Sequence, residues 1–401
     1  MITPNVGQQF VIDQAVDWFY NSGRLVFQYT GGPGSGKSFV LMEIIKRLGL
    51  NPITEVAAMS FMGSASLVMR NKGLLSARTA HSWIYFPVIV DKRDKDGNIV
   101  YDKLLNTPVK IAVFKPIESL PPTIKLIAID EAGSMPMNLK KDIEKFGIKI
   151  IACGDPDQLP PVGDAPAYLT DGKIYRLTEC MRQAGLNDIQ FICNQVRQGI
   201  PLINGYYGNS MVINNKDVSD NMLMWADMVI CGRNSTRDII NKRIRNILGY
   251  SSDLPMHGEK VVCRQNNWGV SVDMGMGMNV NLVNGLTGTV SNSPDVSTLD
   301  GQMFTMDFVP DLAPGIMFQG LRCNYLHMIS DNAMRLSIRQ NKYSVGDMFE
   351  YGYAITSHIS QGSQFHKVLY IEERMPPDIQ RQINLVGASR ADQALIYAKP
   401  Y

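Results

Sequence analysis

The chain has 401 residues, is 45% hydrophobic and 19% charged, and carries a formal net charge of +2. That length leaves room for two or three domains with proper cores. The composition excludes a disordered chain, and no apolar run approaches the roughly 18 residues of a membrane helix.

The first residues lack the basic and apolar regions of a secretory signal, which predicts a cytoplasmic protein, in the host cytoplasm if phage-encoded. The six cysteines, at 153, 180, 193, 231, 263 and 323, show no C-x-x-C spacing, so neither a disulfide framework nor a zinc site is expected. Residues 25–30 read as a short buried strand. A glycine-rich turn follows, then a helix from about 37 to 48 closed by Gly49. Further strands end near 58, 129 and 152, each before a loop rich in charge or glycine. Strand–turn–helix units of this kind predict a parallel α/β sheet with its ligand beyond the carboxyl ends of the strands. Residues 88–90 and 99–101 flank Asp96-Gly97, a hairpin signal, with Lys92, Arg93 and Lys95 on the arms. Taken alone, this hairpin is a surface excursion. Residues 225–249 return to a strand and a basic helix. Residues 256–345 read as an inserted small β domain, with strands at 260–263, 287–290 and 303–308. From 349 the α/β pattern resumes.

The chemistry concentrates in the strand-end loops. Gly31 to Ser38 fits G-x-x-x-x-G-K-S. Backbone N–H groups of Gly32, Pro33's neighbours, Gly34, Ser35 and Gly36 can face phosphate oxygens at a helix start. Lys37 reaches the outer phosphates, and Ser38 can ligate Mg²⁺. The apolar run 127–129 delivers Asp130 to the metal and Glu131 to the attacking water. In Gly154-Asp-Pro-Asp-Gln158-Leu-Pro-Pro-Val-Gly163, Gln158 is a candidate γ-phosphate sensor. Arg182 and Arg390 are candidate arginine fingers.

These motifs, in this order, with Tyr353-Ala-Ile-Thr-Ser-His-Ile-Ser-Gln-Gly362 and Ala388-Ser-Arg390-Ala, resemble those of superfamily 1B DNA helicases, the RecD-like and phage Dda-like group. The resemblance covers nearly the whole chain. It implies an α/β fold of two RecA-like P-loop NTPase domains with ATP and Mg²⁺ between them and single-stranded DNA across their tops. It implies domain 1A at 1–82 and 119–185, a hairpin pin, 1B, at 83–118, domain 2A at 186–255 and 346–401, and a β-barrel-like 2B at 256–345. It further implies ATP hydrolysis, translocation, usually 5′→3′, and unwinding of forked duplex, in replication, recombination or repair. Under it, Lys37 and Ser38 hold phosphates and metal, Asp130 holds Mg²⁺, Glu131 activates water, Gln158 senses the γ-phosphate, Arg182 and Arg390 are fingers, and Gly362 lies beside the nucleotide. Gln8 resembles the adenine-reading glutamine, with Gln9 as a rival. For DNA, Phe61, Met62 and Gly63 fall in motif Ia, Thr79, His81 and Trp83 in motif Ib, and Thr356, His358 and Gln361 in motif V. Phe61, Trp83 and Tyr85 are candidate base platforms, with the core as the alternative place for each.

The sequence departs from the family at Met62 and Ser64 in motif Ia, Ile359 after His358, and 385–387 before Arg390. The departures fall mostly on DNA-contact positions, which keeps a second reading open: a DNA-stimulated ATPase or remodelling subunit of a replication or recombination complex. A third, a P-loop kinase or small-molecule NTPase, leaves 350–390 unexplained. Single-strand-binding protein and replisome or recombination proteins are candidate partners, and a monomer without membrane attachment is expected. Local counting also softens the small net charge. Arg70, Lys72 and Arg78 face no acid within 61–90, and Arg233, Arg237, Lys242, Arg243 and Arg245 face Asp238 alone within 233–245.

Overall fold

Six short runs pair side by side in the order Arg78–Thr79, Val56–Ser60, Leu126–Ile129, Lys149–Gly154, Val26–Gly31 and Ile174–Leu177. Every pairing is parallel. The central runs are apolar along their whole length and buried on both faces, as a sheet covered by helices requires. The computed structural model that shows this describes residues 3–400, apart from 92, 95, 102–107, 109, 162, 179–186, 274–278, 293, 297–302, 314 and 341–345. Helix Lys37–Arg47 buries Val40, Leu41, Ile44 and Ile45 against one face. Helix Val6–Asn21 opens on a capping box, in which Asn5 accepts from the Gln8 N–H and Gln8 accepts from the Asn5 N–H.

A second six-stranded sheet runs Ala354–Thr356, Met228–Cys231, Phe365–Ile371, Ala391–Lys399, Ser210–Asn214 and Gly205–Tyr207. It is parallel except for its last pair. Helices Asn187–Gln198 and Pro377–Ala388 cover it through Ile189, Ile192, Val196, Leu385 and Ala388. The fold class is thus the expected one, two parallel α/β motor units. The insertion, which interrupts the second unit between strands Met228–Cys231 and Ala354–Thr356, is an antiparallel sheet around Phe304, Phe308, Phe318 and Phe349. Its strand Phe349–Tyr351 pairs with Lys260–Cys263, so this sheet continues past the expected boundary at 345. Two helices of the insertion, Tyr325–Ile329 and Asn332–Gln340, had no counterpart in the sequence reading.

The hairpin differs from expectation. Strand Tyr85–Asp91 pairs with Lys110–Pro116, with Val88 opposite Val113 and Val90 opposite Ile111, and not with 99–101. Around Asp96-Gly97 the described residues form an Arg93–Ile99 bridge and an Asp94 N–H bond to the Asn98 carbonyl at 2.9 Å. The Asp94 carboxylate accepts from the N–H groups of Asp96 and Asn98, both at 2.9 Å, and so closes a longer loop than a two-residue turn. Lys92 and Lys95 lie outside the described residues. Among the described residues no helix is long and apolar enough to cross a membrane. The five described cysteines are buried, and none forms a disulfide among the described residues.

Candidate functional site

A cavity of about 580 Å³ opens beyond the carboxyl ends of the first sheet, and both motor units line it. The first unit supplies Pro33, Gly34, Gly36, Lys37, Ser38, Asp130, Glu131 and Gln158. The second supplies Gly362, Ser363, Ser389 and Arg390. The turn before helix Lys37–Arg47 requires glycine, because Gly34 and Gly36 have φ of 79° and 84°. Lys37 Nζ donates to the carbonyls of Gly31 (2.8 Å) and Gly32 (3.3 Å). A helix start with these backbone N–H groups and a lysine beside them is a phosphate cradle. Ser38 Oγ donates to Asp130 Oδ2 at 3.2 Å. This pair of hard oxygen donors fits Mg²⁺, which takes one or two protein oxygens and completes its shell with water and phosphate. Among the described residues no group of three or more His, Cys, Asp or Glu side chains could hold a metal ion.

Glu131 follows Asp130 in a left-handed conformation, φ 54° and ψ 40°. Burial pushes its carboxyl up, and the Asp130 charge adds to that; Lys37, Arg390 and Gln158 oppose it. Arg390 is itself buried and held in place. Its Nε donates to the Val386 carbonyl (3.0 Å), Nη1 to that of Ser363 (3.3 Å) and Nη2 to Ser389 Oγ (3.1 Å). Gly362 has φ 79°, and an added Cβ would meet Ala65 at 2.8 Å, so the two units touch across the cavity where only glycine fits.

Some expected nucleotide residues stand elsewhere. Gly32 and Ser35 line a neighbouring cavity on the far side of the loop. Gln8 is 1% exposed and does not line the nucleotide cavity. Its Nε2 donates to the Ser35 carbonyl at 3.0 Å while its Oε1 accepts from Asn5, so it braces the loop from behind. The rival Gln9 faces outward to Asp13 and Arg47. Arg182 lies outside the described residues. Two residues were missed. Lys72 lines the cavity with Nζ 3.3 Å from Ser38 Oγ; its place beyond the motif Ia helix gave no signal. Arg197 pairs with the loop that carries Gln158.

A second cleft, of about 680 Å³, gathers Phe61, Met62, Pro160, Pro161, Arg233, Arg264, Thr356, His358, Ile359 and Gln361. It joins five of the expected DNA contacts. The other four do not line it. Gly63 is buried with Val283 so close that an added Cβ would meet it at 2.4 Å. Thr79 is buried and caps the turn of Ala80–Ile84. His81 sits between the rings of Phe61 and Tyr85, with centroids 6.0 and 5.7 Å away. Trp83 is a correction: it belongs to the core of the first unit and its indole N–H donates to the Ala58 carbonyl at 2.8 Å, so no base can stack on it. Burial lowers the pKa of both His81 and His358, which favours neutral rings.

The local charge count also needs correction. Arg237 is 1% exposed and bonded to Glu350 and Asp238, both at 2.7 Å. Arg243 pairs with Asp220 (2.6 Å), and Arg245 pairs with Glu259 (2.8 Å) over the Tyr351 ring. Their charge is met by acids inside the protein, two of which, Glu350 and Glu259, lie on the side of the insertion.

Comparison with known proteins agrees with this layout. The family model for an AAA domain matches residues 5–215. An uncharacterized protein of Acanthamoeba polyphaga mimivirus, R530, is 26% identical over 217 residues, which are 48% of this chain and 42% of that protein. The chain therefore matches less than half the length of this curated relative. The crystal structure of Pif1 helicase from Candida albicans superposes with a TM-score of 0.51 at 18% identity, covering 99% of this chain and 95% of that one. That of Pif1 helicase from Bacteroides in complex with ADP-AlF3 and ssDNA gives 0.56 at 17% identity, covering 99% and 92%. With a family match over more than half its length, the chain belongs to the AAA domain family, and it shares the fold of these two Pif1 helicase structures end to end.

Proposed function

We propose that the chain is an ATP-dependent DNA helicase that moves 5′→3′ on single-stranded DNA and opens a forked duplex. One observation carries the reading: a single cavity is lined by Lys37, Ser38, Asp130, Glu131 and Gln158 from one motor unit and by Gly362 and Arg390 from the other. Such a site hydrolyses nucleotide only when the two units approach, which turns chemistry into relative movement. The polarity comes from the resemblance to superfamily 1B. The Bacteroides Pif1 helicase of similar fold holds ADP-AlF3 and ssDNA, which supports the same pair of ligands here.

Lys37 and the loop N–H groups hold the phosphates, and Ser38 with Asp130 would hold Mg²⁺. When bound, that ion neutralises charge developing on the phosphates. Glu131 accepts a proton from the attacking water. Lys37 and Arg390 oppose the burial that would otherwise neutralise it. Gln158 orients the water or the γ-phosphate, and Arg390, fixed by three hydrogen bonds, brings positive charge from the second unit. The strand lies in the second cleft, against Phe61, Thr356, His358 and Gln361. Gln361 Nε2 donates to the Leu159 carbonyl at 3.3 Å, one residue beyond Gln158, so the two sites share a loop.

The departures at Met62, Ser64 and Ile359 motivate the second reading, an ATPase that remodels a replication or recombination complex without unwinding alone. Forked duplexes with a 5′ or a 3′ tail, incubated with ATP and the purified chain, separate the two. Strand separation confined to the 5′-tailed fork is expected. DNA-stimulated hydrolysis with no separation on either fork would favour the remodelling subunit. Lys37→Ala should lose turnover and keep single-strand binding; near-wild-type hydrolysis in that variant would overturn the motor.

A further inference from the structure

Arg197 stands on helix Asn187–Gln198 of the second motor unit, yet its guanidinium reaches into the first. Nε donates to Asp157 Oδ2 at 2.6 Å, and Nη1 turns back to its own helix at Asn194 (3.1 Å). Nη2 is buried, has no hydrogen-bond partner, and lies 3.6 Å from Asp155 Oδ2. That distance is an ion pair too long for a hydrogen bond. The same guanidinium touches the phosphate loop, since a Cβ added to Gly32 would meet Nη2 at 3.2 Å.

Asp155 is no ordinary surface acid. It is 2% exposed, and burial pushes its carboxyl up against the opposing charges of Lys37 and Arg197. Its Oδ1 accepts from the Asp157 N–H (3.1 Å), and its carbonyl accepts from the Gln158 N–H (3.3 Å). One side chain of the second unit thus grips the two carboxylates that shape the turn bearing Gln158. Its third contact is half made: closing the gap by a few tenths of an ångström converts the long Asp155 contact into a second charge-assisted hydrogen bond.

We propose that Arg197 is a positioning residue that couples the second motor unit to Gln158, tightening onto Asp155 as the cleft closes, so that engagement of DNA is felt at the γ-phosphate. This rests on the helicase reading. Arg197 lines the cavity behind the phosphate loop and not the nucleotide cavity, so it acts through the loop and not on the nucleotide.

The test measures ATP turnover with and without single-stranded oligonucleotide, together with the Kd of a fluorescent ADP and the thermal midpoint. Arg197→Ala and Asp157→Asn should each lower the ratio of DNA-stimulated to basal turnover by about 5- to 20-fold, a normal size for coupling between sites. Nucleotide Kd should stay close to wild type. Asp157 is partly exposed, so its variant tests the pair even if Arg197→Ala fails to fold. The exchanged pair Arg197→Asp with Asp157→Arg should restore much of the ratio. An unchanged ratio in both single variants overturns the proposal, as does an exchanged pair no better than the singles. A wild-type chain whose turnover ignores DNA removes the helicase reading, and this proposal with it.

Discussion

Glu131 carries the sharpest conflict between stability and chemistry at the scale of one residue. Its backbone lies at φ 54°, where a non-glycine residue costs about 1–3 kcal/mol, and its carboxyl is buried beside Asp130. Under the proposed function both features aim a base at the phosphates. Glu131→Gly should therefore abolish turnover and raise the thermal midpoint, while nucleotide still binds. Glu131→Gln keeps the strain and loses the charge, so the difference between the two variants isolates the backbone term. The pH dependence has a definite sign. A carboxyl raised in the folded state penalises the ionised form, so wild type suffers most above the ordinary glutamate range. The gain of either variant should shrink as pH falls toward about 4.3; a gain independent of pH would rule out the carboxylate as its source. Single positions elsewhere explain the departures from the family pattern. Gly387 stands where a Cβ would enter the Tyr370 ring at 2.2 Å, and Ser64, buried, donates to the Gln361 carbonyl at 3.4 Å. Both serve packing between neighbouring elements, which motif comparison cannot reveal.

At the scale of elements, the join between insertion and second motor is held by charge. Glu350 accepts from Arg339 and lies 2.7 Å from Arg237 and 3.2 Å from Arg264. Burial pushes its carboxyl up, but the surrounding guanidinium groups hold it down to about 2. His327, fully buried on the short helix Tyr325–Ile329, sits against this cluster. Its Nδ1 lies 3.1 Å from the Phe349 carbonyl, and its Nε2 lies 3.1 Å from Arg339 Nε. The neutral ring with a proton on Nδ1 satisfies both. Burial lowers its pKa to about 4. A histidine depressed in the folded state gives stability that is complete above about pH 6.5 and lost as pH falls toward 4. We expect about 2 kcal/mol to be lost between pH 6.5 and 5, a window in which Glu350 does not yet titrate. Denaturant unfolding of wild type and His327→Gln at the two pH values checks this; equal losses would place the acid sensitivity elsewhere. None of this join was legible in the sequence, because its partners are 11 to 113 residues apart and include two short helices without a periodic signal. The hairpin was legible only as a hairpin. Asp96-Gly97 draws the eye, but Asp94 closes the loop and the ladder forms farther out, at 85–91 and 110–116.

For the whole molecule, the phosphate loop, the Asp-Glu strand end and the parallel α/β class were readable because each motif pairs a local backbone need with an apolar strand. The electrostatic surface was not, because charge counted along a chain ignores what folds against it. Within 61–90, Arg70 donates to the Ala77 carbonyl, Lys72 turns to the nucleotide cavity, and Arg78 lies over the Trp83 ring. Within 233–245, Arg237, Arg243 and Arg245 are bound to acids. Of the described cations in the two stretches only Arg233 lines the second cleft, where Arg264 joins it from the insertion. Two cations facing a single strand release few counterions. The slope of log affinity against log salt should then be about −1.4, and affinity should fall only about sevenfold between 50 and 200 mM salt. Fluorescence anisotropy with a short labelled oligonucleotide measures it. A slope steeper than about −3 would mean that the strand runs over cations outside this cleft. A shallow slope confirmed in wild type and halved to about −0.7 in Arg264→Gln would fix the insertion as one wall of the track, and make the loss of that wall a loss of grip instead of a loss of turnover.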